Sequence, residues 1–282
     1  MRWRGRRGSA NIEDRRGRAR GGAVAGGVGG LGLVALLLFG YFFGIDVSPL
    51  VNQQQINPDG STQVTEADQQ AAEFVSVTLA DTEDIWAAIF RDELGQTYNE
   101  PTLVLFKGVT PSPCGNASGA TGPFYCPNDR KVYLDTDFFV TLSRQFGARG
   151  DFAAAYVVAH EVAHHVQDEL GILAKANQVR SQVSQADSNA ISVRIELQAD
   201  CFAGIWARHA AESFGTLEEG DVLEAMNAAK QIGDDQLQRS AGRIPSPHTF
   251  THGTSEQRQR WFATGYQSGD LRNCDTFGSA RL

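Results

Sequence analysis

The chain has 282 residues, 41% of them hydrophobic, which is enough for one or two packed domains and excludes a wholly disordered or fibrous protein. Its net charge of −8 is unevenly spread: residues 1–20 hold eight Arg against Glu13 and Asp14, a local +6 that leaves −14 for the remainder. An acidic body argues against nucleic acid as a partner, because neutralising phosphates takes clustered Lys and Arg.

Residues 21–45 contain no charged side chain, and Leu31–Phe43 is strongly apolar. About 20 apolar residues span a bilayer as a helix. The Arg-rich start would then stay in the cytoplasm, with the body across the membrane. A cleaved signal peptide is the rival reading, but no small-x-small site follows the apolar run. The expectation is a basic cytoplasmic segment (1–20), a single transmembrane anchor (21–45) in a bacterial cell membrane, and an extracytoplasmic domain. Residues 46–70 are polar and read as a linker. The folded domain is expected over 71–282.

Apolar residues at helical spacing predict a helix over Ala71–Arg91, with a break near Asp81–Thr82. Thr102–Phe106 reads as a strand, and Phe124–Tyr125 with Val132–Leu134 as two short strands about a turn. Thr136–Phe146 reads as a helix capped by Asp135 or Thr136. Long helices follow over Phe152–Leu170, Ala190–Ala211 and Asp221–Ile232. Asp221 and Glu224 have the spacing of a capping box, as do Thr254 and Gln257 ahead of a last helix that runs to about Tyr266. The fold class is α+β, mainly helical, with a small sheet.

Four cysteines in a translocated domain permit two disulfides in three pairings, or free buried thiols. Cys114 and Cys126 bracket a Gly-rich loop and are expected to pair, which leaves Cys201 with Cys274. Their spacing is not that of a cysteine zinc site.

The chemistry centres on His160-Glu161-Val162-Ala163-His164, an H-E-x-x-H run inside an apolar helix. Residues four apart share one helix face, so both imidazoles can reach one zinc ion at about 2.0–2.1 Å. Glu161, on the adjacent face, stands beside the water that such a site activates, as its general base. A third ligand is required, and Glu196 in the next long helix is the best candidate. Asp200, one turn further on, is placed to accept the other N–H of His160 or His164. That helix is apolar nearly all round, so a buried Glu and Asp there need partners.

His248 and His252 lie in a Pro- and Gly-rich loop before the last helix, where a histidine could stabilise an oxyanion, and likeness to gluzincins, whose comparable region carries a His, favours His252; Tyr125 and Tyr133 are weaker donors. His248 is a less favoured loop histidine. His165 lies about 100° round the helix from His164 and reads as a surface or packing residue, and His209 as structural. An edge strand near Tyr125 could hold an extended peptide by β-addition.

These residues resemble the neutral zinc metallopeptidase family of bacterial membrane-anchored proteins. The resemblance covers nearly the whole chain. It rests on the Arg-rich start and anchor, Cys114-Gly115 with Gly122-Pro123-Phe124-Tyr125-Cys126-Pro127, Val132-Tyr133-Leu134-Asp135, His160–His164, Glu196–Asp200, and His252-Gly253-Thr254 with Glu256-Gln257-Arg258. More distantly, the H-E-x-x-H and E-x-x-x-D pair is similar to gluzincin peptidases of the HtpX and prenyl-protein-protease type. The resemblance implies a zincin-like domain, Zn2+ as cofactor, Glu196 as third ligand with Asp200 behind it, and a peptide or protein substrate. The alternatives are a zinc-binding scaffold or chaperone without catalysis, and an amidase acting on cell-wall peptides.

Overall fold

The computed structural model of the chain describes residues 1–17, 63–118, 122–139, 142 and 150–282. The expected anchor (21–45) and most of the expected linker lie outside the described residues, as does most of the helix expected over Thr136–Phe146. Among the described residues, no helix is long and apolar enough to cross a membrane.

The chain begins with β1 (Ile12–Asp14), and helix α1 (Glu66–Ile89) follows. Thr65 caps α1 in a reciprocal capping box with Asp68, inside the stretch expected to be linker. The helix runs through Asp81–Thr82 without the expected break. Thr82 Oγ1 donates to Leu79 O at 2.7 Å, and the buried acids find partners on residues 1–17. Arg6 pairs with Asp81, while Ser9 Oγ at 2.5 Å and Asn11 Nδ2 at 2.9 Å donate to Glu83.

Four strands form the main sheet, in the order β1, β2 (Thr102–Phe106), β6 (Lys131–Asp135), β5 (Phe124–Cys126). The pairs β1–β2 and β2–β6 are parallel, and β5–β6 is antiparallel. Between β2 and β5 a hairpin of β3 (Val109–Ser112) and β4 (Gly115–Ser118) occupies what reads in sequence as a loop. Alternation divides the faces of β6. Val132 and Leu134 enter the main core, whereas Tyr133 joins Val104, Phe106, Ala117 and Cys126 in a small core beneath the hairpin.

The helical layer consists of α2 (Asp151–Glu169), α3 (Ile172–Arg180), α4 (Gln185–Phe214), α5 (Asp221–Gln231), α6 (Asp234–Ser240) and α7 (Ser255–Ser268). Helices α4 and α7 meet backbone to backbone. A Cβ on Gly204 would lie 2.1 Å from Phe262 O, and one on Gly265 1.8 Å from Cys201 O. Thr254 and Gln257 form their capping box at the start of α7. Asp221 and Glu224 do not form theirs. Gly220 is the N-cap of α5, Asp221 accepts from Glu218 N–H at 2.7 Å, and Glu224 accepts from Phe152 N–H at 3.2 Å at the start of α2. Both expected disulfides are present, Cys114–Cys126 and Cys201–Cys274.

The basic start is part of this body and not a separate tail. Ile12, Glu13 and Asp14 align with Leu103, Val104 and Leu105, and Met1 and Trp3 are buried. The expected division sets residues 1–20 apart from the folded domain, whereas Ile12–Asp14 pair with β2 inside its main sheet. The Met1 ammonium contacts Asp151 at 2.8 Å, Glu218 at 3.1 Å and Asp221 at 3.2 Å. Burial alone would lower its pKa. Hydrogen bonds to Asp151 and Glu218 and the nearby acidic charges outweigh that and raise it to about 10.

A raised folded-state pKa gives stability that is complete below the unfolded value near 8 and is lost as pH rises through about 10. Asp221→Asn should therefore melt below wild type at pH 7, with the gap narrowing as pH passes 10. Thermal unfolding followed by circular dichroism across pH 7–10.5 measures this, and a gap independent of pH would contradict the pairing.

Candidate metal centre and cleft

Helix α2 carries His160, Glu161 and His164 against α4, which carries Glu196 and Asp200. The turn of α2 that follows Phe152 is apolar on most sides, so the helix is buried along nearly its whole length. Four-residue spacing brings the two imidazoles edge to face, at 4.9 Å between ring centroids. Both Nε2 atoms face one carboxylate: His160 Nε2 lies 3.1 Å from Glu196 Oε2, and His164 Nε2 lies 3.5 Å from Glu196 Oε1.

Two ligands at about 2.0–2.1 Å from one tetrahedral ion are separated by about 3.3 Å. Each imidazole is near that distance from one Glu196 oxygen, 3.1 Å to Oε2 and 3.5 Å to Oε1, and the three ligand atoms lie within 4.8 Å of one another. The donor set of two imidazoles and a carboxylate is one that zinc takes. The residues present fit the ion.

The far nitrogens of both rings are held. His160 Nδ1 is 2.9 Å from Asp200 Oδ1, in ion-pair range although off the line of an ideal hydrogen bond. Asp200, fully buried, also accepts from Tyr156 Oη at 2.5 Å, from Arg258 Nε at 2.8 Å and from Arg258 NH2 at 2.9 Å. His164 Nδ1 donates to Gln167 Oε1 at 2.9 Å. Gln167 Nε2 in turn donates to Ile195 O at 2.8 Å and Gln198 Oε1 at 3.0 Å, which ties that imidazole to α4.

The electrostatics follow from these contacts. Burial would lower the pKa of His160, but the charge of Asp200 and hydrogen bonds to Asp200 and Glu196 raise it to about 10 in the metal-free site. Burial would raise Glu196, but the charge of His164, the His160 hydrogen bond and the charge of His252 hold it well below the usual carboxylate range. The site therefore favours a charged carboxylate facing positive charge, the arrangement a cation takes over.

These side chains form the floor of a cleft of about 450 Å3, whose lining also includes Glu161, Tyr125, Val157, Leu173, Arg180 and His252. No hydrogen bond or ion pair with the described residues engages the Glu161 carboxylate. His252 is oriented by Asp234, whose Oδ1 lies 3.2 Å from its Nδ1 and whose Oδ2 accepts the His252 N–H at 2.6 Å. Burial would lower its pKa, and the Asp234 hydrogen bond with the charges of Glu196 and Asp234 raises it. Tyr125 Oη donates to Asp168 Oδ2 at 2.8 Å.

One sequence expectation resolves differently, that for Tyr133, while the remaining histidines take structural or surface places. Tyr133 donates to Asp129 at 2.6 Å from the hairpin side of the sheet, so it is not a donor to the cleft. His165 is a packing residue: it is buried, its Nε2 donates to Asn99 O at 2.6 Å, and burial lowers its pKa to about 4. His248 is exposed beside Ser246, while His209 Nε2 donates to Gly269 O at 3.1 Å. The supporting roles of Tyr156, Gln167 and Asp234 were not visible in sequence, and Arg258 figured only within the family pattern. The one local signal was the i, i+3 spacing of His164 and Gln167.

A mainly helical α+β body thus brings the H-E-x-x-H helix α2 against a glutamate of α4, in a donor group able to hold a metal ion. Residues 1–277 match the family described as "Putative neutral zinc metallopeptidase", and the chain belongs to that family, which implies zinc as its cofactor. It is 47% identical to the uncharacterized protein YpfJ of Escherichia coli K12, over 99% of this chain and 100% of that protein. It is 41% identical to the uncharacterized protein Rv2575 of Mycobacterium tuberculosis H37Rv, over 83% of this chain and 81% of that protein. No solved structure matches the chain at a significant level.

Removing the Arg258 guanidinium leaves Asp200 buried and short of its main counter-charge. Arg258→Met should lose about 3–5 kcal/mol of stability and bind zinc about 10–100-fold more weakly. Denaturant unfolding and chelator competition measure the two effects, and wild-type values in both would contradict the role given to the network.

Proposed function

We propose that this chain is a zinc-dependent peptidase in which His160, His164 and Glu196 hold the metal and Glu161 is the general base. The observation that carries this reading is the convergence of three ligand atoms, within 4.8 Å of one another, in a cleft beside a carboxylate that no described residue engages. Held by these residues, zinc would supply a water of lowered pKa, toward about 7, and a Lewis acid for a carbonyl oxygen. Glu161 takes the proton of the attacking water at its carboxylate and returns it to the leaving amine. His252, held at Nδ1 by Asp234, offers Nε2–H to the developing oxyanion. Asp200 and Gln167 fix the two liganding imidazoles from behind.

A peptide suits the cleft. Strand β5 is the edge of the sheet, and its Phe124 and Tyr125 line the cleft. An extended chain can add to that edge through main-chain hydrogen bonds. A scaffold with a sealed metal site would place a fourth protein ligand at the ion, whereas the ligand cluster among the described residues holds three.

The two disulfides fit an oxidising compartment, and we place the body there. The β1–β2 pairing brings residues 1–17 to the same side.

Glu161→Gln should keep its zinc and lose about 10²–10⁴-fold in kcat on peptide substrates. Metal analysis with a peptide-cleavage assay checks both halves, and near wild-type kcat would remove Glu161 from its role. For topology, Arg4→Cys and Ser268→Cys should both react with a membrane-impermeant maleimide on intact spheroplasts. Labelling of one alone, or of both only after lysis, would refute the placement.

A further inference from the structure

We propose that Arg180 selects substrates by pairing with a carboxylate on the peptide, three or four residues from the bond that is cut. The inference rests on the peptidase reading above and adds a substrate class to it. Arg180 is the last residue of α3, half-buried, and lines the same cleft as Glu161 and Glu196. Its Nε donates to Ser188 Oγ at 3.3 Å and its NH1 to Asn177 Oδ1 at 3.1 Å. Both partners are neutral. They use two of the five guanidinium N–H groups and aim the head, leaving NH2 and one NH1 hydrogen to offer.

Among the described residues no carboxylate forms an ion pair with Arg180. In the same half of the chain Arg208, Arg239, Arg258, Arg260 and Arg272 each hold one, while Arg194 spends its guanidinium on the main-chain carbonyls of Thr276, Phe277 and Ser279. The other cleft arginine, Arg258, is thus neutralised by Asp200. Among the described lining residues Arg180 is the arginine left without a carboxylate, and the lining around it includes the apolar Val157, Leu173, Ile195 and Leu237. A planar guanidinium already fixed on one edge matches a carboxylate in geometry as well as charge.

Helix geometry gives the distance. Ser188, which holds the Arg180 head, precedes Glu196 by eight residues on α4, about 12 Å along the axis at 1.5 Å per residue. An extended peptide covers about 3.3 Å per residue, so the carboxylate sits three or four residues from the scissile bond.

The test uses the zinc-loaded full chain and a set of fluorogenic peptides with Glu, Ser or Lys at each of four positions on either side of a fixed cleavage site. The expected result is a preference for Glu of about 10–100-fold in kcat/KM at one position three or four residues away, the range of a charged hydrogen bond, expressed mainly in KM. The Glu-to-Ser ratio should fall to near one in Arg180→Gln and invert in favour of Lys in Arg180→Glu, with both variants folded by circular dichroism and zinc-replete. A purely structural arginine would not produce the inversion. Equal cleavage of all peptides by wild type, or a Glu preference that survives in Arg180→Gln, overturns the inference while leaving the peptidase reading intact. Failure of the wild type to cut any peptide overturns both.

Discussion

The site depends on one buried carboxylate. Asp200, on α4, faces His160 and accepts from Tyr156, both on α2, and from both Arg258 nitrogens on α7. A carboxylate and a guanidinium out of water together are costly, and they are tolerated only where every polar atom finds a partner of good geometry. Here that requirement ties three helices at a single point. The Gly204 and Gly265 contact lets α4 and α7 approach closely enough for Arg258 to reach Asp200. The orientation of the His160 ring is therefore a consequence of how the helices cross, not of the ring's immediate sequence.

A second chain of contacts does the same for His164. Its imidazole leads through Gln167 to Gln198, and Gln198 Nε2 donates to Cys274 O at 3.0 Å. Cys274 is cross-linked to Cys201 across 73 residues, a closure that by loop entropy stabilises by about 4 kcal/mol. The disulfide thus fixes the C-terminal segment against α4 next to the candidate metal centre. Residues 1–17 act similarly at the other end of α2, where the Met1 ammonium and Glu224 meet its first turn.

The parts of the site that repeat within one or two helical turns were legible in sequence. His160 with His164 and Glu196 with Asp200 each share a face by four-residue spacing, and their apolar surroundings marked them as buried. Tyr156, Asp234 and the role of Arg258 were not legible, because they reach their partners from elements far apart along the chain. Tyr133 was assigned to the cleft because strand position alone does not say which face is inward, and the pleat sends it to the hairpin side. The Arg-rich start was read for its charge and its neighbourhood to an apolar run. Its pairing with α1 and β2 is long-range, and no local pattern announces it. Helix α3, with the Arg180 that the cleft needs, is short and weakly apolar and so gave no clear periodic signal.

X-ray absorption at the zinc edge of the purified, zinc-loaded protein tests the central claim most directly. The account predicts a first shell of light atoms only, two imidazole nitrogens and oxygen from one carboxylate and solvent, at about 2.0–2.1 Å. A sulfur scatterer near about 2.3 Å, or fewer than two imidazoles in the fitted shell, would contradict it.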